Sequence, residues 1–266
     1  MLSPSQIDEF HEYGILKIPG LITQEVINSI QAHTRAYFEG IDYWRQGEWD
    51  INKVPKIAKT DRLQPAKALK RSKIFTEIMT SEVDSVIRLL CEDAEPILGS
   101  DRPQLLFTLP GIEDWTVPSR VWHVDVPRLP DNVFPGVQLF TFLETVLPRG
   151  GGTLTVSGSH RLVNEEGYIR SKFMKRRLKR ELYFRRLFNK KVPDRMSFLT
   201  ERGQAGNVPL KVIEMTGEPG DAYITDLRLL HTVAPNANPE PRVMLTQRYY
   251  RRSALPLIRA NDQPGN

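Results

Sequence analysis

The sequence predicts a mainly β fold, a sandwich or barrel with helices preceding it in the chain. Three observations predict it. Beyond about residue 100, apolar residues fall in short runs rich in Val, Leu, Phe and Thr. Clusters of Gly and Pro separate those runs. Before residue 100, apolar residues recur instead at the spacing of a helix.

The elements follow in order. Residues 3–13 read as a helix, with Ser3 as cap, Pro4 in the first turn and Gly14 as its end. ILKIP reads as a short strand. A second helix starts near Thr23, where Ile22 and Ile27 are placed to form a hydrophobic staple. Residues 40–72 are rich in Trp, Lys and Pro and read as a long loop. Ser81 with Asp84 resembles a capping box. Val83, Val86, Ile87, Leu90, Ala94 and Ile97 then keep helical spacing up to Gly99. QLLFTL, RVWHVDV, VQLFTFLETV, GTLTV, LKVIEM, DAYITD and RVMLTQRYY read as strands. No internal repeat or low-complexity linker divides the 266 residues, so one domain is expected over 1–266, with a basic insert at about 161–207.

Bulk properties narrow the class. Hydrophobic residues make up 40% and charged residues 26%, an ordinary soluble composition. No run approaches the roughly 18 apolar residues of a membrane span, and the polar N-terminus gives no sign of a signal peptide. Cys91 is the single cysteine, which excludes an intrachain disulfide and fits the cytoplasm or another reducing compartment.

The chemistry centres on VWHVDVP, residues 121–127. In a strand, residues two apart share a face, so His123 and Asp125 are expected side by side. An imidazole and a carboxylate so placed are two thirds of the 2-His-1-carboxylate triad that binds non-haem Fe(II) and leaves positions open. A His-x-Asp pair alone is more often a surface or hydrogen-bonded pair. Among the five histidines, His11 and His33 lie in polar helical surroundings and His160 at a strand end. His231 follows DAYITD and LRLL and precedes a Pro-Asn-rich turn, which makes it the best third ligand.

Three segments, taken together, resemble the phytanoyl-CoA dioxygenase-like Fe(II)/2-oxoglutarate oxygenases. They are SPSQIDEFHEYGILKIPGLITQEVINSI, then WHVD with VQLFTFLETVLPRGGGTLTVSGSHR, then GDAYITDLRLLHTVAPNANPEPRVMLTQRYY. The resemblance implies a double-stranded β-helix, jelly-roll or cupin-like, flanked by helices. It implies Fe(II), 2-oxoglutarate and O2, with decarboxylation to succinate and oxidation of a substrate C–H bond, usually hydroxylation. On it, His123, Asp125 and His231 fall on the metal ligands and Arg242 on the arginine that grips the far carboxylate of 2-oxoglutarate. The offset, 242 − 231 = 11, leaves room for a turn and a return strand. A guanidinium fork suits a carboxylate better than an ammonium does. Gln104 and Thr108 fall on positions facing the co-substrate, and Phe140 on one packing beside it; each reads equally well as an ordinary strand residue. Val233 stands where family members often have serine. Related halogenases replace the ligand carboxylate with a small residue, so Asp125 implies hydroxylation rather than halogenation.

The basic stretch at residues 169–191 matches nothing in the family. Glu181 alone opposes its Lys and Arg residues. Three roles compete: a solvated helix with an apolar underside, a lid drawing an anionic small-molecule substrate, or a nucleic-acid or membrane surface. No nucleic-acid fold signature accompanies it, so nucleic acid is disfavoured. The rival to an oxygenase is a catalytically silent binding protein on the same fold, using this segment for an anionic partner. The prime substrate and oligomeric state are not legible.

Overall fold

The computed structural model describes residues 2–50, 66–111, 114–127, 129–130, 133–162 and 171–261. Helix α1 (Pro4–Tyr13) begins at a capping box, in which the Ser3 hydroxyl accepts from the Gln6 N–H and the Gln6 side chain accepts from the Ser3 N–H. Gly14 closes it at φ 71°. Strand β1 (Ile15–Ile18) leads to α2 (Gln24–Gly40), where the staple residues Ile22 and Ile27 are both buried. The expected long loop contains a small hairpin, β2 (Trp44–Arg45) with β3 (Glu48–Trp49); residues 51–65 of it lie outside the described residues.

Helix α3 (Ser81–Cys91) corrects the expectation at both ends. Thr80, not Ser81, is the cap and accepts from the Val83 N–H. The helix ends at Cys91 on Glu92 in the left-handed region, not at Gly99. Ile97 and Leu98 are instead drawn into strand β4 (Ile97–Leu98), whose partners are Tyr250 and Tyr249. Cys91 is buried, which pushes its thiol up to about 12 and keeps it protonated.

Strands β5 (Gln104–Thr108), β6 (Gly136–Phe142) and β7 (Leu154–Ser157) precede helices α4 (Ser171–Leu178), α5 (Leu182–Leu187) and α6 (Ser197–Thr200). Then come β8 (Gly203–Ala205), β9 (Val208–Glu214), β10 (Ala222–Asp226), β11 (His231–Thr232), β12 (Arg242–Tyr250) and α7 (Leu255–Asn261). A large sheet runs β1-β10-β6-β12-β4, with β5 also on β12, and a smaller one runs β11-β7-β9-β8.

Period-two alternation explains the layers. From β5, β6, β10 and β12, residues such as Leu105, Leu139, Ile224 and Leu245 join one core with α1, α2 and α3. Their alternates Phe140, Phe142, Tyr223 and Met244 meet Met215 and Ile213 of the small-sheet side in a second core. The small sheet's other face packs on α4–α6. The result is the expected double-stranded β-helix with flanking helices. Strand β6 is buried on both faces, which is why its sequence is a near-continuous apolar run.

RVWHVDV does not form the expected strand. Val121 takes φ 65°, a region a β-branched residue rarely enters, and Trp122 is fully buried with its indole N–H on the Pro118 carbonyl. His123 makes only a single bridge, to His231. In the basic stretch, Met174, Leu178, Tyr183, Phe184 and Leu187 are buried and the intervening Arg176, Lys179, Arg185 and Arg186 are exposed. That is a solvated surface with an apolar underside. Ile169 and Arg170 lie outside the described residues. Among the described residues no helix is long and apolar enough to cross a membrane.

Candidate active site

His123 and His231 face each other as a hydrogen-bonded pair, each N–H donating to the other's carbonyl over 2.9 Å. Their rings lie 4.3 Å apart between centroids. Asp125 completes the group: its Oδ1 is 3.8 Å from His123 Nε2 and its Oδ2 3.5 Å from His231 Nε2. Among the described residues these three form the one cluster able to hold a metal ion, with ligand atoms within 4.8 Å of one another.

The tautomers suit a ligand role. His123 Nδ1 lies 2.9 Å from the Val121 carbonyl and His231 Nδ1 3.0 Å from the Leu229 carbonyl. A carbonyl only accepts, so each Nδ1 carries a proton, which leaves Nε2, on the side toward Asp125, as the nitrogen that can ligate a metal. Burial lowers the His231 pKa, against the opposing pull of Asp125, which favours the neutral imidazole a metal needs.

Beside the triad lies a cavity of about 160 Å³. Gln104 and Leu106 of β5 and Gln138 and Phe140 of β6 line one side, and Arg242, Thr246 and Arg248 of β12 continue it. Thr153, Thr232 and Val233 close the other side. Arg242 is the telling residue. It is only 3% exposed, and its Nε and Nη1 have no hydrogen-bond partner among the described residues. Burial pulls its pKa down to about 10, so it is still a cation at neutral pH. An unpaired buried guanidinium is costly and calls for an anion in the cavity.

The expected residues are thus distributed unequally. His123, Asp125, His231, Arg242, Gln104 and Phe140 all line this cavity; Thr108 does not. Thr108 pairs with Arg242 across β5 and β12, at the end of the register between the two strands. Arg248, Gln138 and Thr246 line it although no sequence argument singled them out. The signal was there: 242, 246 and 248 have one parity in RVMLTQRYY and share a face. His160 is buried and donates to the His11 carbonyl, away from the triad.

The family model for phytanoyl-CoA dioxygenase (PhyH) matches residues 10–244. The chain belongs to the PhyH family. Solved structures share its fold. SnoK, a non-haem α-ketoglutarate-dependent carbocyclase from nogalamycin biosynthesis, aligns at TM-score 0.56 and 18% identity over 94% of this chain and 84% of its own. The epimerase SnoN, solved with Fe3+, α-ketoglutarate and nogalamycin RO, aligns at 0.54 and 15% over 98% and 90%. EctD from S. alaskensis, solved with 2-oxoglutarate and 5-hydroxyectoine, aligns at 0.53 and 18% over 95% and 77%. No curated protein matches the chain.

Proposed function

We propose that this PhyH-family protein is a non-haem Fe(II)/2-oxoglutarate-dependent dioxygenase that hydroxylates a small-molecule C–H bond. One observation carries the proposal: a His-Asp-His cluster shares a small cavity with a buried arginine whose Nε and Nη1 have no hydrogen-bond partner among the described residues. Both features fit the group in question. Two imidazoles and a carboxylate suit ferrous iron, and the buried guanidinium suits the distal carboxylate of a 2-oxo diacid.

Iron with 2-oxoglutarate and O2 supplies the oxidation, in which co-substrate, O2 and R–H give succinate, CO2 and R–OH. The chain does the rest. His123, Asp125 and His231 would hold the metal on one side, leaving the other open. Arg242 would bind the far carboxylate in a bidentate pair. Gln138 donates to the Thr246 hydroxyl, which donates to the Leu139 carbonyl, so the polar wall beside Arg242 is held still. Phe140 and Leu106 supply apolar walls that exclude water.

The cavity is below the roughly 300–1,000 Å³ of pockets that enclose a drug-sized ligand. It is therefore scaled to the co-substrate, and the prime substrate sits at its mouth beside Val233. Asp125 occupies the position a halide would need, which supports hydroxylation over halogenation.

Anaerobic titration of Fe(II) and 2-oxoglutarate tests the proposal. A visible metal-to-ligand charge-transfer band is expected, and Arg242→Ala should weaken it. Folded, metal-loaded protein without the band would refute it.

A further inference from the structure

Arg248 approaches the carboxylate of the metal cluster. Its Nε donates to Asp125 Oδ2 over 3.0 Å, and its Nη2 lies 2.9 Å from the same oxygen. The Nε–H uses one lone pair of Oδ2, and the guanidinium charge at 2.9 Å holds that same oxygen toward the arginine. Oδ1 keeps its lone pairs, and it faces His123 Nε2 at 3.8 Å. Without Arg248 the two oxygens would be near equivalents, because Oδ2 lies 3.5 Å from His231 Nε2.

We infer that Arg248 is a positioning residue that restricts Asp125 to ligation through Oδ1 alone. The inference rests on the iron site proposed above. Its consequence is a matter of available places. Two imidazoles and one carboxylate oxygen fill three positions of a six-coordinate ion and leave three, enough for a 2-oxo acid bound through two oxygens and for O2. A carboxylate bound through both oxygens takes a fourth position, and then O2 has none. The Arg248 side chain is 42% exposed, so replacing it opens no core cavity.

The test counts water on the metal, with no turnover involved. Mn(II) stands in for iron, at saturation, in protein free of co-substrate, and magnetic resonance in 17O-enriched water gives the number of bound waters. The expected count is three for wild type, three for Arg248→Lys, which keeps a charged donor, and two for Arg248→Met. Arg248→Met retaining three waters would overturn the inference. Should that variant fail to fold, Arg248→Gln, with no charge to hold Oδ2, is subject to the same two outcomes. A wild-type protein that binds no Mn(II) would instead sink the metal site itself, a separate result.

Discussion

Arg195 donates from Nε to the Val117 carbonyl over 2.6 Å, joining the basic segment to the loop that carries His123. The same guanidinium reaches the carbonyls of Pro118, Leu187 and Asn189. It is buried, and those carbonyls belong to two separate chain segments. Trp115, Val117 and Trp122 pack in one core with Met174, Phe184 and Leu187. The underside of the basic segment is thus a brace for the metal loop. Arg195→Met should lower the unfolding free energy by about 2–4 kcal/mol, because buried carbonyls lose their donors. Denaturant unfolding of the metal-free protein measures this; a change below about 0.5 kcal/mol would rule the brace out.

Arg242→Met should act in opposite directions with and without ligand. Removing a buried cation whose Nε and Nη1 have no partner among the described residues relieves a desolvation cost, so the ligand-free protein should melt higher, by about 2–4 °C for each kcal/mol relieved. Co-substrate binding should weaken by about 2–5 kcal/mol, roughly 30-fold or more. Thermal melts with and without 2-oxoglutarate read both effects. A variant that melts lower and still binds 2-oxoglutarate normally would contradict the assignment.

Asp125→Ala should cut 2-oxoglutarate turnover by more than about 100-fold, the upper range for loss of a partner outside the ligand set. The far-UV spectrum should be unchanged, since Arg248 is left half in solvent rather than buried alone. Succinate formation is the measurement, and full turnover in a folded variant would end the metal assignment.

His160 predicts a pH dependence of stability. Burial holds its imidazole below the ordinary value of 6.5. The unfolded chain takes up this proton near 6.5 and the folded chain only at lower pH. Stability contributed by the neutral ring is therefore full above 6.5, is lost as pH falls below it, and levels off once the folded imidazole protonates. His160→Gln, which can still donate to the His11 carbonyl, should lose less melting temperature than wild type between about pH 7 and pH 5. Equal losses would place the dependence elsewhere.

What was legible in the sequence is what is local. Ser3 and Gln6 cap α1 because they are three residues apart, and Gly14 ends it because the chain there turns left-handed. The alternation in VQLFTF and RVMLTQRYY sorts each strand between two cores, since a pleat has period two. Residue type, spacing and family resemblance also singled out His123, Asp125, His231 and Arg242, which the structure brings to one cavity. The expected local reason for their meeting did not hold: Val121 breaks the expected strand, and a long-range bridge to His231 places His123 instead.

The tertiary structure alone decided the rest. Arg248 meets Asp125 across 123 positions, and Arg195 meets Val117 across 78. No periodicity couples residues so far apart; only the packing of sheet on sheet and helix on sheet sets those distances. The same holds for Arg242. Its type is written in the sequence, but that its Nε and Nη1 have no partner among the described residues is a property of the side chains packed around it.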